Sequence, residues 1–202
     1  MTKKVLIIGA TGTVGTAVTK TLLEETDDQL TLFARSAAQI DASDRKKIIA
    51  GDVLKNNDLD QAMKDQDVVL AALTGDLGKF AENIVEAMDR NHVSRLIFIS
   101  SMGIYNEIPA LVGASGNLST NPILKTYREA ADVIEGSDLN YTVIRPGWFT
   151  SGPVEYEVTR KGEPFGGHDV SISSIADLVK KLVRDNSLYA RESVGINTPT
   201  KR

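Results

Sequence analysis

The sequence predicts an α/β fold with a doubly wound parallel sheet and helices on both faces, in a single domain. Three observations predict it. Short apolar runs alternate with helical patterns along the whole chain. A glycine-spaced turn follows the first apolar run directly and leads straight into a helix. The length, 202 residues, suits one full α/β core.

The elements follow in order. Val5–Ile8 reads as a buried first strand, and residues from Gly12 to about Glu25 as a helix with Val14, Ala17, Val18 and Leu22 on one side. Leu30–Phe33 is the second strand and Lys47–Ala50 the third, ending at Gly51-Asp52. Asp58–Lys64 is helical, and Val68–Ala72 is a strand apolar enough to be buried on both faces. Phe80–Asn91 is an amphipathic helix built on Ala81, Ile84, Val85 and Met88, and Leu96–Ile99 is a strand ending at Ser100-Ser101. Met102–Pro122 is rich in Gly, Pro and Asn and too long for an idle connection, so it is assigned a binding role on the substrate side. A helix at Ile123–Glu135 and a strand at Tyr141–Ile144 come next. Residues 148–168 have loop composition, with room for a hairpin, and form a second substrate-side loop. Ser173–Arg184 is a helix and Ser193–Asn197 a late strand.

Composition excludes several function classes. Hydrophobic residues make up 42% and charged residues 25%, ordinary for a globular chain and wrong for a disordered one. The 23 basic and 27 acidic residues are dispersed, so no block of like charge asks for nucleic acid or a membrane surface. Cysteine is absent, which removes disulfides, thiolate ligands and a cysteine nucleophile. The opening apolar run is too short for a signal peptide or a membrane span, which makes the cytoplasm the default location. Two isolated histidines without carboxylates at ligand spacing do not make a metal site. His92 reads as a helix-end residue and His168 as a surface-loop residue, with the cleft as its alternative.

The chemistry lies in the first turn, Gly9-Ala10-Thr11-Gly12-Thr13-Val14-Gly15. Glycines at 9, 12 and 15 between a strand and a helix meet the demands of a dinucleotide site. The first allows the sharp turn, the second the close approach of backbone to pyrophosphate, and the third tight packing of helix on strand. The helix N-terminus then offers amides and positive dipole to the phosphates. An Asp or Glu about 20 residues on would hold the 2′-hydroxyl of NAD. Arg35 stands there instead, followed by Ser36. A guanidinium pairs with a 2′-phosphate, so NADP(H) is favoured over NAD(H); the alternative is a solvated loop arginine.

Five marks spread over nearly the whole chain carry a family resemblance. They are Gly-Ala-Thr-Gly at 9–12, Arg35, Gly51-Asp52-Val53, Ser100-Ser101-Met102-Gly103, and Tyr141-Thr142-Val143-Ile144-Arg145-Pro146-Gly147. The chain resembles an atypical short-chain dehydrogenase/reductase of the NmrA-like, NAD(P)H-binding group with a Rossmann-type fold. It is similar, more distantly, to NADPH-dependent flavin reductases of the biliverdin reductase B family. The resemblance implies that Asp52 and Val53 flank the adenine, and that Ala72, Leu73 and Thr74 line the adenosine ribose. It also implies that Ser100 and Ser101 lie near the nicotinamide, and that Pro146 and Gly147 pass its carboxamide.

One family feature is missing. Members that reduce carbonyls use a Tyr-x-x-x-Lys pair on the helix after the fifth strand. Aligned on Ser137–Thr142, those two positions are Ile123 and Tyr127. Isoleucine exchanges no proton, and tyrosine is no substitute for an ammonium. Lys125 precedes Tyr127 by two residues, a spacing that puts them on different helix faces. Ser100, Ser101 and Tyr127 remain as candidate catalytic hydroxyls. Reduction of a flavin or quinone needs less from the protein than reduction of a carbonyl. The expected function is therefore NADPH-dependent reduction of a small flavin- or quinone-class acceptor. The alternative is a non-catalytic NADP(H) sensor. Domains of this kind often pair through surface helices, which makes a homodimer the expected assembly, although no apolar stripe names the face.

Overall fold

A computed structural model describes residues 1–200. β1 (Lys4–Ile8) carries the apolar run and is followed by α1 (Thr13–Glu25), β2 (Gln29–Ala34) and β3 (Lys46–Ala50). Then come α2 (Asn56–Met63), β4 (Val68–Ala71), α3 (Leu77–Arg90) and β5 (Arg95–Ile99). After a long loop the chain forms α4 (Leu124–Glu135), β6 (Asn140–Pro146), β7 (Trp148–Thr150) and β8 (Glu157–Arg160). β9 (Asp169–Ser171), α5 (Ile172–Arg184) and β10 (Glu192–Asn197) complete it.

The main sheet has the order β3-β2-β1-β4-β5-β6-β10-β8. All neighbours are parallel except β8, which runs antiparallel to β10 and ends the sheet. The chain moves outward from β1 to β2 and β3, then returns to the other side of β1 with β4. That reversal opens a crevice between β1 and β4 at their carboxyl ends, where ligands of such sheets bind. β4 and β5 are buried along their whole length, as expected for strands covered on both faces. On one face α1 and α5 pack Val14, Val18, Leu22, Ile175 and Leu182 onto Val5, Ile7 and Leu70. On the other, α2, α3 and α4 bury Leu59, Ile84, Met88 and Ile134 against Leu6, Val69 and Phe98. No helix among the described residues is long and apolar enough to cross a membrane.

Two helix ends are finished by local chemistry. Asp76 caps α3, its side chain accepting from the Lys79 amide at 3.4 Å. At the far end His92 sits at φ +56°, with its amide donating to the Asp89 carbonyl and the Val93 amide to the Met88 carbonyl. This is the Schellman arrangement that glycine usually fills. His92 thus ends a helix as the sequence indicates, through its backbone rather than its ring.

The Met102–Pro122 segment is irregular apart from one 3-10 turn at Ala114–Gly116, but it is pinned at its base. The Glu107 carboxylate accepts from the amides of Gly103 (3.0 Å) and Tyr105 (2.9 Å) and pairs with the buried Arg145 guanidinium on β6. The Asn117 side chain bonds both backbone groups of Ile108 at 2.9 Å. Tyr105 donates to Glu135 on α4, and burial, then this hydrogen bond, hold its phenol above the ordinary tyrosine pKa. Met102, Ile108 and Phe165 close a small apolar cluster beneath the loop.

The hairpin foreseen within residues 148–168 does not form. β7 pairs in parallel with β9 as a separate two-stranded sheet, while β8 leaves to pair with β10. Long-range partners were available to both strands, and each takes one instead of its neighbour.

The Glu107–Arg145 pair has side chains at most 5% exposed, so removing one partner leaves a charge buried alone. Glu107→Ala is expected to cost about 3 kcal/mol or more of unfolding free energy. Asp132→Ala, which breaks the surface pair with Arg128, is expected to cost less than about 1 kcal/mol. Urea denaturation followed by circular dichroism measures both.

Candidate cofactor cleft

The cleft is built from the first turn outward. Gly9 leaves β1 at φ +88°, and a Cβ there would overlap the Ala72 carbonyl oxygen at the end of β4. Its amide and that of Ala10 both donate to the Phe33 carbonyl of β2, at 2.9 and 3.3 Å. A Cβ on Gly15 would overlap the Gly9 carbonyl and come within 2.9 Å of the Ala10 Cα, so α1 rests directly on the turn. Gly12 differs: its Cβ would meet only the Gly9 oxygen, at 3.3 Å. It lines open space rather than packed backbone.

No side chain caps α1, and its first turn has no acidic residue. The amides of Thr13 and Val14 therefore stand at the crevice without a partner among the described residues. They meet a cavity of about 410 Å³ that runs along the carboxyl edge of the sheet. Its lining follows strand order: Asp52 and Val53 after β3, Arg35 and Ser36 after β2, and Gly9 with Thr11 to Val14 after β1. Ala72, Leu73 and Thr74 follow after β4, and Ser100 after β5. Tyr127 of α4 and Phe149 of β7 close the far end.

The end near β2 and β3 is shaped by short polar contacts. The Thr11 and Ser36 hydroxyls lie 3.0 Å apart and tie the glycine turn to the end of β2. Asp52 accepts from the Leu54 amide at 3.0 Å, and Asn83 of α3 donates to the Val53 carbonyl at 3.1 Å. Together they fix a firm wall. Arg35 is exposed, is the one cation lining the cavity, and makes no ion pair or side-chain hydrogen bond among the described residues. It is thus available to an anion.

The opposite end is different in character. Ser100 is 4% exposed, and its Oγ has no hydrogen-bond partner although its amide donates to the Ile144 carbonyl at 2.7 Å. Tyr127 is half-buried and its hydroxyl has no partner among the described residues. Ile123, where a proton-donating tyrosine would stand, is 73% exposed at the start of α4. Lys125 points to solvent and pairs with Glu129 at 3.8 Å. No ammonium accompanies Tyr127.

Most of the residues singled out from sequence come together here. Ala10 and Gly15 support the turn from beneath without lining the cavity. Ser101 donates to the Met102 carbonyl at 3.1 Å and also lies outside the lining. Pro146 and Gly147 are one layer behind it: the Pro146 carbonyl accepts from Met102, and the Gly147 amide donates to Ile196. His168 stacks on Trp148 with centroids 5.9 Å apart, on a separate depression beside Thr150. Sequence reasoning missed Phe80 and Phe149, which both line the cleft. The signal for the second was a pair of aromatics directly after the Arg145-Pro146-Gly147 stop.

The cleft fits a dinucleotide on its own geometry. It has a glycine cradle a Cβ would fill, unpaired helix amides beside it, a free guanidinium at one end and an orphaned serine hydroxyl at the other. Comparison with known proteins agrees. The family model for NAD(P)H-binding proteins matches residues 9–186. No curated protein sequence matches the chain. Among solved structures, a Rossmann-fold NAD(P)-binding family protein from Shigella flexneri is 38% identical, with 100% of this chain and 98% of that one covered and a TM-score of 0.85. A short-chain dehydrogenase/reductase from Veillonella parvula DSM 2008, in complex with NADP, is 28% identical over 98% of this chain and 96% of that one, with a TM-score of 0.91. The anaerobillin reductase ChuY of Escherichia coli O157:H7 is 16% identical with 98% of both chains covered and a TM-score of 0.82, a likeness of fold alone. The chain belongs to the NAD(P)H-binding family of oxidoreductases, as an atypical, NmrA-like short-chain dehydrogenase/reductase.

Proposed function

We propose that this protein is an NADPH-dependent reductase of small conjugated acceptors of the flavin and quinone class. The observation that carries the reading is the far end of the cleft, where the Ser100 hydroxyl and the Tyr127 phenol stand with no ammonium or imidazole in the lining and with its one carboxylate, Asp52, at the opposite end after β3. Reduction of an isolated carbonyl to an alcohol needs a proton delivered by a positioned acid as the hydride arrives. A quinone or flavin spreads the added charge over its ring and takes its proton from water. The protein then has only to hold two rings at the right distance.

Bound in this cleft, the reduced cofactor supplies the hydride. The residues supply the rest. Amides of the first turn of α1, free of side-chain caps, receive the pyrophosphate. Val53 and Leu54 face the adenine side, and Arg35 takes the 2′-phosphate that distinguishes NADP from NAD. The NADP held by the 28%-identical Veillonella protein supports that preference. Ser100, buried and unpartnered, is placed to hold the nicotinamide amide or the acceptor oxygen.

The direct test follows the near-ultraviolet absorbance of NADPH, with NADH in parallel, on adding flavins and quinones to the protein. Saturable oxidation with NADPH preferred is the expected result. Protein that binds NADPH yet oxidises none with any acceptor overturns the reading. Unequal affinities for NADP+ and NADPH would then describe a redox sensor.

Arg35→Ala is expected to weaken NADPH binding by about tenfold to a hundredfold, the worth of a charge-assisted pair, and to leave NADH binding nearly unchanged. Fluorescence titration with both cofactors measures the split. The glycines are expected to divide as well. Gly12→Ala keeps the thermal midpoint and loses cofactor binding, because its Cβ enters the phosphate space. Gly15→Ala lowers the midpoint itself, because its Cβ strikes backbone. Thermal melts with and without NADPH separate the two.

A further inference from the structure

Which acceptors fit is written in the chemistry of the far end of the cleft. Phe149 lies on β7, a three-residue strand whose side chains alternate between faces. Thr150 lines the separate depression, while Phe149 lines the cleft with Ser100 and Tyr127. The strand is held firmly. Phe149 is paired with Val170 of β9, and the neighbouring Trp148 amide donates to the His168 carbonyl at 2.8 Å. Gly147 lets this happen, since a Cβ there would overlap that same carbonyl. A fixed backbone therefore presents a phenyl ring, 46% exposed, to an open cavity. An aromatic ring left that exposed at the mouth of a site gains from covering by another flat ring.

Charge sharpens the picture. The lining near Phe149 contains no Lys, Arg or His, and the cavity's one cation, Arg35, follows β2. Three strand spacings, about 14 Å in all, separate β2 from β5. An anionic group on the acceptor would lose water here and find no counter-charge.

We infer that Phe149 is the aromatic face against which the acceptor lies, and that this end of the cleft takes an uncharged conjugated ring. The inference rests on the reductase reading and names the substrate class of the same site. Phe149 acts as a specificity residue: it orients the acceptor opposite the cofactor side of the cleft and shields the pair of rings from water.

The test uses protein saturated with NADP+, so that binding is read without turnover. Riboflavin and FMN, which share a ring and differ by a phosphate, are titrated and the quenching of flavin fluorescence is followed. Riboflavin is expected to bind at least as tightly as FMN. Phe149→Ala is expected to weaken riboflavin about tenfold, the scale of one lost aromatic stack with its buried area. Phe149→Tyr restores the affinity, Phe149→Leu does so only in part, and NADP+ affinity by calorimetry stays constant across the series. No binding of riboflavin by the unmodified protein overturns the inference, as does equal binding by Phe149→Ala. FMN binding much tighter than riboflavin overturns the uncharged-ring half. A fall in NADP+ affinity that parallels the flavin loss also overturns it, by assigning the ring to the cofactor. Protein that binds riboflavin through Phe149 but oxidises no NADPH overturns the reductase reading and leaves the aromatic face standing.

Discussion

At Gly9 and Gly15 the turn after β1 has room for backbone and nothing else, and the rest of the site depends on that. Gly9 lies against the Ala72 carbonyl at the end of β4, and Gly15 lies against Gly9 itself. Three layers of main chain, from β4, the turn and α1, are stacked without side chains between them. This draws the N-terminus of α1 into the crevice where the sheet reverses direction. A helix end that side chains would normally finish, as Asp76 and Ser171 finish α3 and α5, is left open there. Stability forgone at that cap is available for binding an anion, which is the usual way a fold stores recognition in its backbone.

A second constraint keeps the far end in place. The long loop after β5 would be a floppy cover if its backbone groups faced only water. Instead the Glu107 carboxylate gathers two loop amides and the Arg145 guanidinium, and Asn117 closes on Ile108 like a short rung of sheet. Tyr105 extends the network to Glu135 on the helix that carries Tyr127. The loop base, β6 and α4 are thus tied to one another, while Leu111 at the loop tip is fully exposed. A buried ion pair is seldom a source of net stability. Here its use is geometric, holding the irregular chain after β5 against β6.

Much of this was legible in the sequence, for local reasons. The buried strands are continuous apolar runs, and their positions follow from pattern alone to within one or two residues. Helix starts were read late where the cap is not the obvious residue: α3 begins at Leu77 because Asp76 caps it, three residues before Phe80. The glycine turn was legible because each glycine answers a steric demand that spacing expresses. What stayed hidden has partners far along the chain. β8 pairs with β10 and β7 with β9, so the stretch that reads as a loop carries two strands, and Phe149 becomes a cleft residue only through that pairing. Asp52 and Ser100 were found through family resemblance rather than chemistry, since an acidic turn residue and a serine after a strand have many ordinary uses.

The cleft divides recognition from reaction along its length. At the β2 end a free guanidinium, a hydroxyl pair and an Asp-capped turn offer charge and hydrogen bonds. At the β5 end there are one orphaned hydroxyl, one phenol and one phenyl ring. Binding energy for a dinucleotide is therefore concentrated on the part of the molecule that does not react, and the reacting end is left neutral. Such a division puts the hydrogen-bonding and charged groups at the β2 end and leaves no charged side chain among the lining residues at the β5 end. It also gives the protein little means of delivering a proton, so under the proposed reductase reading the acceptor manages the charge that arrives with the hydride. The missing lysine beside Tyr127 and the exposed Phe149 are then two sides of one arrangement. A chain that does not position an acid can still position a ring, and it positions that ring with a strand paired to β9.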